Sequence, residues 1–136
     1  MSSRQRLFRV FYRLGFTPWD GHPLATSLRG LVEGDGALTP GTALDIGCGT
    51  GDNALYLAGL GWDVTGIDYV AKAVEKARAK AAKRDAAAPG SVRFDQADAT
   101  FRRASDGDRA AIAPALAQFT ALLQARPGDP RLMAYP

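Results

Sequence analysis

Apolar positions follow two rhythms along this chain. Three short runs carry the alternating or β-prone pattern of strands: the run ending Leu44-Asp45-Ile46, then Trp62 to Asp68, then Ser91 to Gln96. Helical spacing occupies the stretches around them. Residues 3–14 place Leu7, Val10, Phe11 and Leu14 on one face and Arg6, Arg9 and Arg13 on another. A second helix is expected over 24–32 and a third over about 52–60. A fourth follows Asp68, where Val70, Val74, Ala77 and Ala81 make one buried stripe. Lys72, Lys76, Lys80 and Lys83 lie on its other sides and read as a solvated face. Gly34-Asp35-Gly36, Pro40-Gly41, Gly59 to Gly61 and Pro89-Gly90 separate these segments. The order from 42 to 96 is therefore β-α-β-α-β. This predicts an α/β fold, a Rossmann-like doubly wound parallel sheet with right-handed crossovers and strand order 3-2-1.

Beyond it, residues 99–109 read as polar loop. A last helix carries Ile112, Leu116, Phe119 and Leu123 on one stripe, with Pro114 in its first turn, where a missing N–H costs least. Residues 131–135 are the remaining strand candidate. An open edge on strand 1 would leave ladder groups unpaired. The segment is thus expected to lie parallel beside strand 1, opposite strand 2, with Tyr135 at its end. It would do so within one chain or swapped between two, as a homodimer covering the edge.

Composition narrows the function classes. The 136 residues suit one domain, divided into a helical cap over 1–36, a ligand-binding unit over 42–98 and a helix-plus-strand tail over 106–136. With 46% hydrophobic residues the chain can bury a core, and no apolar run is long enough to span a membrane. One cysteine, Cys48, excludes an internal disulfide framework, and with one histidine, His22, no metal site is expected. The net charge of +3 is mild, and no nucleic-acid partner is expected. The Arg-rich start also fits an organelle transit peptide, but it runs directly into a loop-like Pro-Trp-Asp-Gly-His-Pro segment, so it is read as part of the mature domain in a cytoplasmic protein.

The chemistry concentrates in Asp45-Ile46-Gly47-Cys48-Gly49-Thr50-Gly51-Asp52-Asn53. An acid precedes three glycines at alternate positions, and a helix start follows. Glycines let backbone turn or approach a ligand, and a helix N-terminus offers free N–H groups. A dinucleotide fingerprint would need glycine at position 52, where Asp52 stands. That argues against a nicotinamide dehydrogenase. Asp68 lies 21 residues after Gly47 at the tip of the second strand, where an acid can accept both ribose hydroxyls; it can also cap the helix that follows.

The D-x-G-x-G-x-G order of Asp45, Gly47, Gly49 and Gly51 resembles the first motif of class I S-adenosylmethionine-dependent methyltransferases. The resemblance implies that S-adenosyl-L-methionine is the cofactor and that Asp98, after the third strand, meets its adenine amino group. It places Cys48, Asn53, Tyr69 and Ala99 beside the cofactor too. The Trp19-Asp20 segment is similar to one that covers the cofactor in thiopurine and tellurite-resistance methyltransferases, which implies Trp19 near the sulfonium. Only 38 residues follow Asp98, so the chain resembles that family with the fourth strand and its surroundings absent. The function this implies is methyl transfer to a small-molecule acceptor, with catalytic residues unassigned and His22 the only histidine candidate for a base. The alternative is a noncatalytic cofactor-binding or regulatory module.

Overall fold

The structure, a computed structural model, describes residues 7, 10, 11, 13, 14, 26–97, 102–104, 106–124 and 132–135. Four helices and four strands follow in order among them: α1 (Thr26–Val32), β1 (Thr42–Ile46), α2 (Asp52–Gly59), β2 (Asp63–Asp68), α3 (Ala71–Ala82), β3 (Ser91–Gln96), α4 (Ile112–Gln124) and β4 (Leu132–Tyr135). Residues 7, 10, 11, 13 and 14 are also helical, and Leu7, Val10 and Leu14 are exposed. Among the described residues, no helix is long and apolar enough to cross a membrane.

The strands form one parallel sheet in the order β3-β2-β1-β4. Strand order 3-2-1 is as the pattern predicts. β4 pairs with β1 from Thr42↔Leu132 to Asp45↔Tyr135, within the same chain, so no second copy is needed to cover that side of β1. The central strands β1 and β2 are buried along nearly their whole length, as expected for a parallel sheet covered on both faces. Ala43, Val64 and Phe94 from the strands join Ala54, Leu57 and Ala58 of α2, Val74 and Ala77 of α3, and Leu28 and Val32 of α1 in one apolar core.

Three expectations are corrected. The stripe assigned to the last helix does not face inward at its start: Ile112 and Leu116 are 44% and 57% exposed, whereas Ala111 and Ala115 are buried. Adjacent stripes differ by one residue, about 100° of rotation, and the alanine stripe is the one the fold covers. The stretch read as polar loop holds helical turn at 102–104 and a 3-10 turn, Arg109–Ala111. Asp108 builds that turn by accepting from the Ala110 N–H, and Arg103 beside it holds the Asp108 carboxyl below its ordinary value. Finally, α3 starts at Ala71 with Val70 as its N-cap residue, so Asp68 is not that helix's cap.

Candidate functional site

The glycine loop hangs from the carboxyl end of β2. The N–H groups of Gly47 and Cys48 both donate to the Ile67 carbonyl, at 2.8 and 3.0 Å. The Gly49 N–H donates to Asp68 Oδ2 at 2.9 Å, and the Val70 N–H to Asp68 Oδ1 at 2.8 Å. Asp68 thus ties the loop to the turn that enters α3. Gly47, Gly49 and Gly51 have φ of 74°, 54° and 88°, the left-handed region that other residues adopt at a cost.

The three glycines do not share one task. A Cβ at Gly51 would lie 2.5 Å from Phe94 Cζ, and one at Gly66 in β2 would lie 2.6 Å from Phe94 Cδ1. The Phe94 ring occupies the space that both glycines leave. A Cβ at Gly47 would meet no described atom within 4 Å, so that position faces open space. Gly51 serves packing between the loop and β3, and Gly47 lies where a ligand has room. α2 then begins at Asp52 without a side-chain cap.

Two acids sit beneath the loop. Asp45 is buried, and its Oδ2 has no hydrogen-bond partner among the described residues. Burial, and then the nearby Asp68 charge, raise its pKa to about 6. Burial also raises Asp68, opposed by the N–H groups of Val70, Gly49 and Tyr69. Burial, and then the Asp45 and Asp68 charges, push the Cys48 thiol far up, which favours the neutral thiol over the thiolate. An unpartnered buried carboxylate oxygen can receive a ligand's ammonium group, which would remove the mismatch.

A cavity of about 570 Å³ opens beside Asp68, lined by Arg13, Tyr69, Val70, Ala71, Lys72 and Gln96. It brings the turn after β2 together with the end of β3, where Gln96 Nε2 donates to the Tyr69 carbonyl at 3.4 Å. The structure therefore clusters Asp45, Gly47, Cys48, Gly49, Gly51, Asp68 and Tyr69 at the carboxyl end of the central strands, with Asn53 in the first turn of α2. Trp19, His22, Asp98 and Ala99 lie outside the described residues.

Sequence reasoning missed Gln96 and Arg13 as walls of the cavity. It also misread Lys80: rather than only facing solvent, its ammonium reaches Thr50 and Asp52. Gln96 was within reach, since it ends β3 just before Asp98. Lys80 gave no local signal, because its partners are 28 and 30 positions away.

Residues 43–124 match the family described as a methyltransferase domain, more than half of the chain. A curated relative, the S-adenosyl-L-methionine-dependent Diels-Alderase iccD of Talaromyces variabilis, is 45% identical over 74 residues, 50% of this chain and 25% of the relative. A solved structure described by the conversion of a disulfide bond into a thioacetal group during echinomycin biosynthesis is 38% identical. It covers 71% of this chain and 40% of its own, with a TM-score of 0.55. A second, of an S-adenosylmethionine-dependent methyltransferase from Methanosarcina mazei, is 30% identical over 57% of this chain and 35% of its own, with a TM-score of 0.45. The chain thus spans a quarter to two fifths of the length of these relatives.

Proposed function

The chain belongs to the S-adenosyl-L-methionine-dependent methyltransferase family, and from that premise we propose that it binds this cofactor over the glycine loop and directs its methyl group to a small-molecule acceptor. The observation that carries the reading is Asp45 Oδ2, a buried acceptor without a partner among the described residues, beneath a loop that belongs to the family's first motif. The cofactor's ammonium group is the complement of that oxygen. When bound, the cofactor supplies a sulfonium whose methyl group is electrophilic.

The chain's own residues orient and enclose. Asp45 takes the ammonium, Gly47 and Gly49 let the backbone come close, and Asp68 accepts from the ribose hydroxyls with the lone pairs that Gly49 and Val70 leave. Tyr69 walls the adenosine side, Cys48 and Gly51 hold the loop against β2 and β3, and Asn53 stands at the start of α2 beneath it. Asp98 and Ala99 at the adenine, and Trp19 over the sulfonium, follow from the family resemblance. His22 remains the one histidine candidate for a base. A positioned methyl donor lowers the barrier chiefly through proximity and orientation. A soft acceptor such as a thiol then needs little proton transfer. The 38%-identical structure is described by a reaction at sulfur, which fits an acceptor of that kind. A cytoplasmic setting belongs to this reading.

One observation favours a second reading. The 45%-identical relative is named for a Diels–Alder reaction, so a chain of this kind can use the cofactor without methyl transfer. Isothermal titration with S-adenosylhomocysteine and with NADH comes first, and binding of the former alone is expected. Labelled-methyl S-adenosylmethionine is then offered with thiols, amines and metalloid anions. Label in a thiol product supports methyl transfer. Binding without label in any acceptor favours the second reading, and no binding of S-adenosylhomocysteine overturns both.

A further inference from the structure

We propose that Lys80 is a positioning residue for the glycine loop: from α3 its ammonium clamps Thr50 and Asp52, the two residues flanking Gly51, and so presets the loop for its ligand. The Nζ lies 2.8 Å from Thr50 Oγ1 and 2.8 Å from Asp52 Oδ1. A lysine ammonium has three donors, so one side chain can serve both acceptors at once. Thr50 is only 3% exposed, which fixes the point where the clamp grips.

The anchors from β2 restrain the first half of the loop. Gly47 and Cys48 hang on the Ile67 carbonyl, and Gly49 hangs on Asp68. The second half must pass through Gly51 at φ 88° against the Phe94 ring and turn at once into α2. Lys80 spans that half and joins the loop to α3, one turn beyond the Ala77 that packs near Gly51. The clamp also sets the Lys80 ammonium against the carboxylate of Asp52, the acid standing where a dinucleotide fingerprint carries glycine.

Magnitudes separate this role from a merely stabilising one. The Lys80 and Asp52 side chains are 37% and 41% exposed, and ion pairs of that exposure add little to global stability. Holding a binding loop in its bound shape acts on affinity instead, because the ligand no longer has to order it. The proposal rests on the reading that this loop binds S-adenosylmethionine, so its test needs one measurement made without ligand.

Lys80→Met keeps the apolar stem and removes the ammonium, and Lys80→Arg keeps a cation able to reach both partners. Amide hydrogen exchange over residues 48–53 is measured in the ligand-free chain, together with melting temperature and S-adenosylhomocysteine affinity. Lys80→Met is expected to melt close to wild type, to exchange faster across 49–53, and to bind roughly 5- to 10-fold more weakly. Lys80→Arg is expected to recover most of the affinity. Unchanged exchange in Lys80→Met, or faster exchange with unchanged affinity, overturns the proposal. Faster exchange in Lys80→Met, when the wild-type chain itself binds no S-adenosylhomocysteine, upholds the clamp and overturns the cofactor reading. Should Lys80→Met not fold, Thr50→Val removes one acceptor with little change of shape, and its exchange and affinity are judged by the same outcomes.

Discussion

The backbone N–H of Gly49 donates to Asp68 Oδ2 at 2.9 Å, so the acid that ends β2 holds the middle of the glycine loop directly. Its other oxygen accepts from Val70 at 2.8 Å. One carboxylate therefore shapes the loop and, on the proposed reading, also receives the ribose. Asp68→Ala removes both acceptors and leaves the N–H groups of Gly49, Val70 and Tyr69 without them. We expect a stability loss of about 1–3 kcal/mol and an S-adenosylhomocysteine affinity at least roughly 10-fold weaker. Melting temperature and titration on the same preparation check this. Lost stability with retained affinity would leave Asp68 a purely structural residue.

Gly51→Ala meets two obstacles at once. The position has φ 88°, and the new Cβ would lie 2.5 Å from Phe94 Cζ. A left-handed alanine costs about 1–2 kcal/mol and overpacking about 1–3 kcal/mol more. Denaturant titration is expected to show the sum of the two. Phe94→Leu has its own cost in the core, so the comparison is a double-mutant cycle: in the Phe94→Leu background Gly51→Ala should cost only the backbone part. An equal cost of Gly51→Ala in both backgrounds would refute the contact with Phe94.

Asp45 has a folded pKa of about 6 against an ordinary value of 3.8. A carboxyl raised in this way favours its protonated form in the folded state. Its contribution to stability is fully present below 3.8 and is lost as pH rises to about 6. Asp45 is expected to lower wild-type stability by about 1–3 kcal/mol across that window, and Asp45→Asn should show a shallower slope, the remainder coming from Asp68, whose carboxyl burial also raises. Binding runs the other way, since a ligand ammonium needs the ionised carboxylate. Affinity for S-adenosylhomocysteine should weaken below about pH 6 in wild type and be low at every pH in Asp45→Asn. Parallel denaturation and titration series spanning both pKa values test both signs.

Removing residues 130–136 exposes the β1 edge that runs from Thr42 to Asp45. Unpaired ladder groups beside a buried strand are costly and invite association. The shortened chain is expected to aggregate or to lose cooperative unfolding. Size-exclusion chromatography and thermal melting decide this. A shortened chain that is monodisperse and melts like the full one would contradict the pairing.

What the residues determined by themselves follows from local rules. A strand, an acid, alternating glycines and a helix start lie within ten consecutive positions, each dictated by dihedral freedom or spacing, so the loop was legible from the residues alone, and the β-α-β-α-β pattern over 42–96 with right-handed crossovers set the order 3-2-1. The place of β4 was legible too, because a buried strand edge must be paired. Contacts between residues far apart in the chain were left to the tertiary structure. The helix pattern of 112–124 marks its largest side chains, but only packing decided that Ala111 and Ala115 turn inward while Ile112 and Leu116 face out. The glycine spacing marks Gly51 as it marks Gly47, yet Phe94, 43 residues later, assigns Gly51 to packing. Lys80 looks like its neighbours on α3 until the fold carries it to Thr50 and Asp52. Periodicity and backbone freedom are properties of neighbouring residues, whereas these assignments depend on which surfaces the folded sheet brings within a few ångströms.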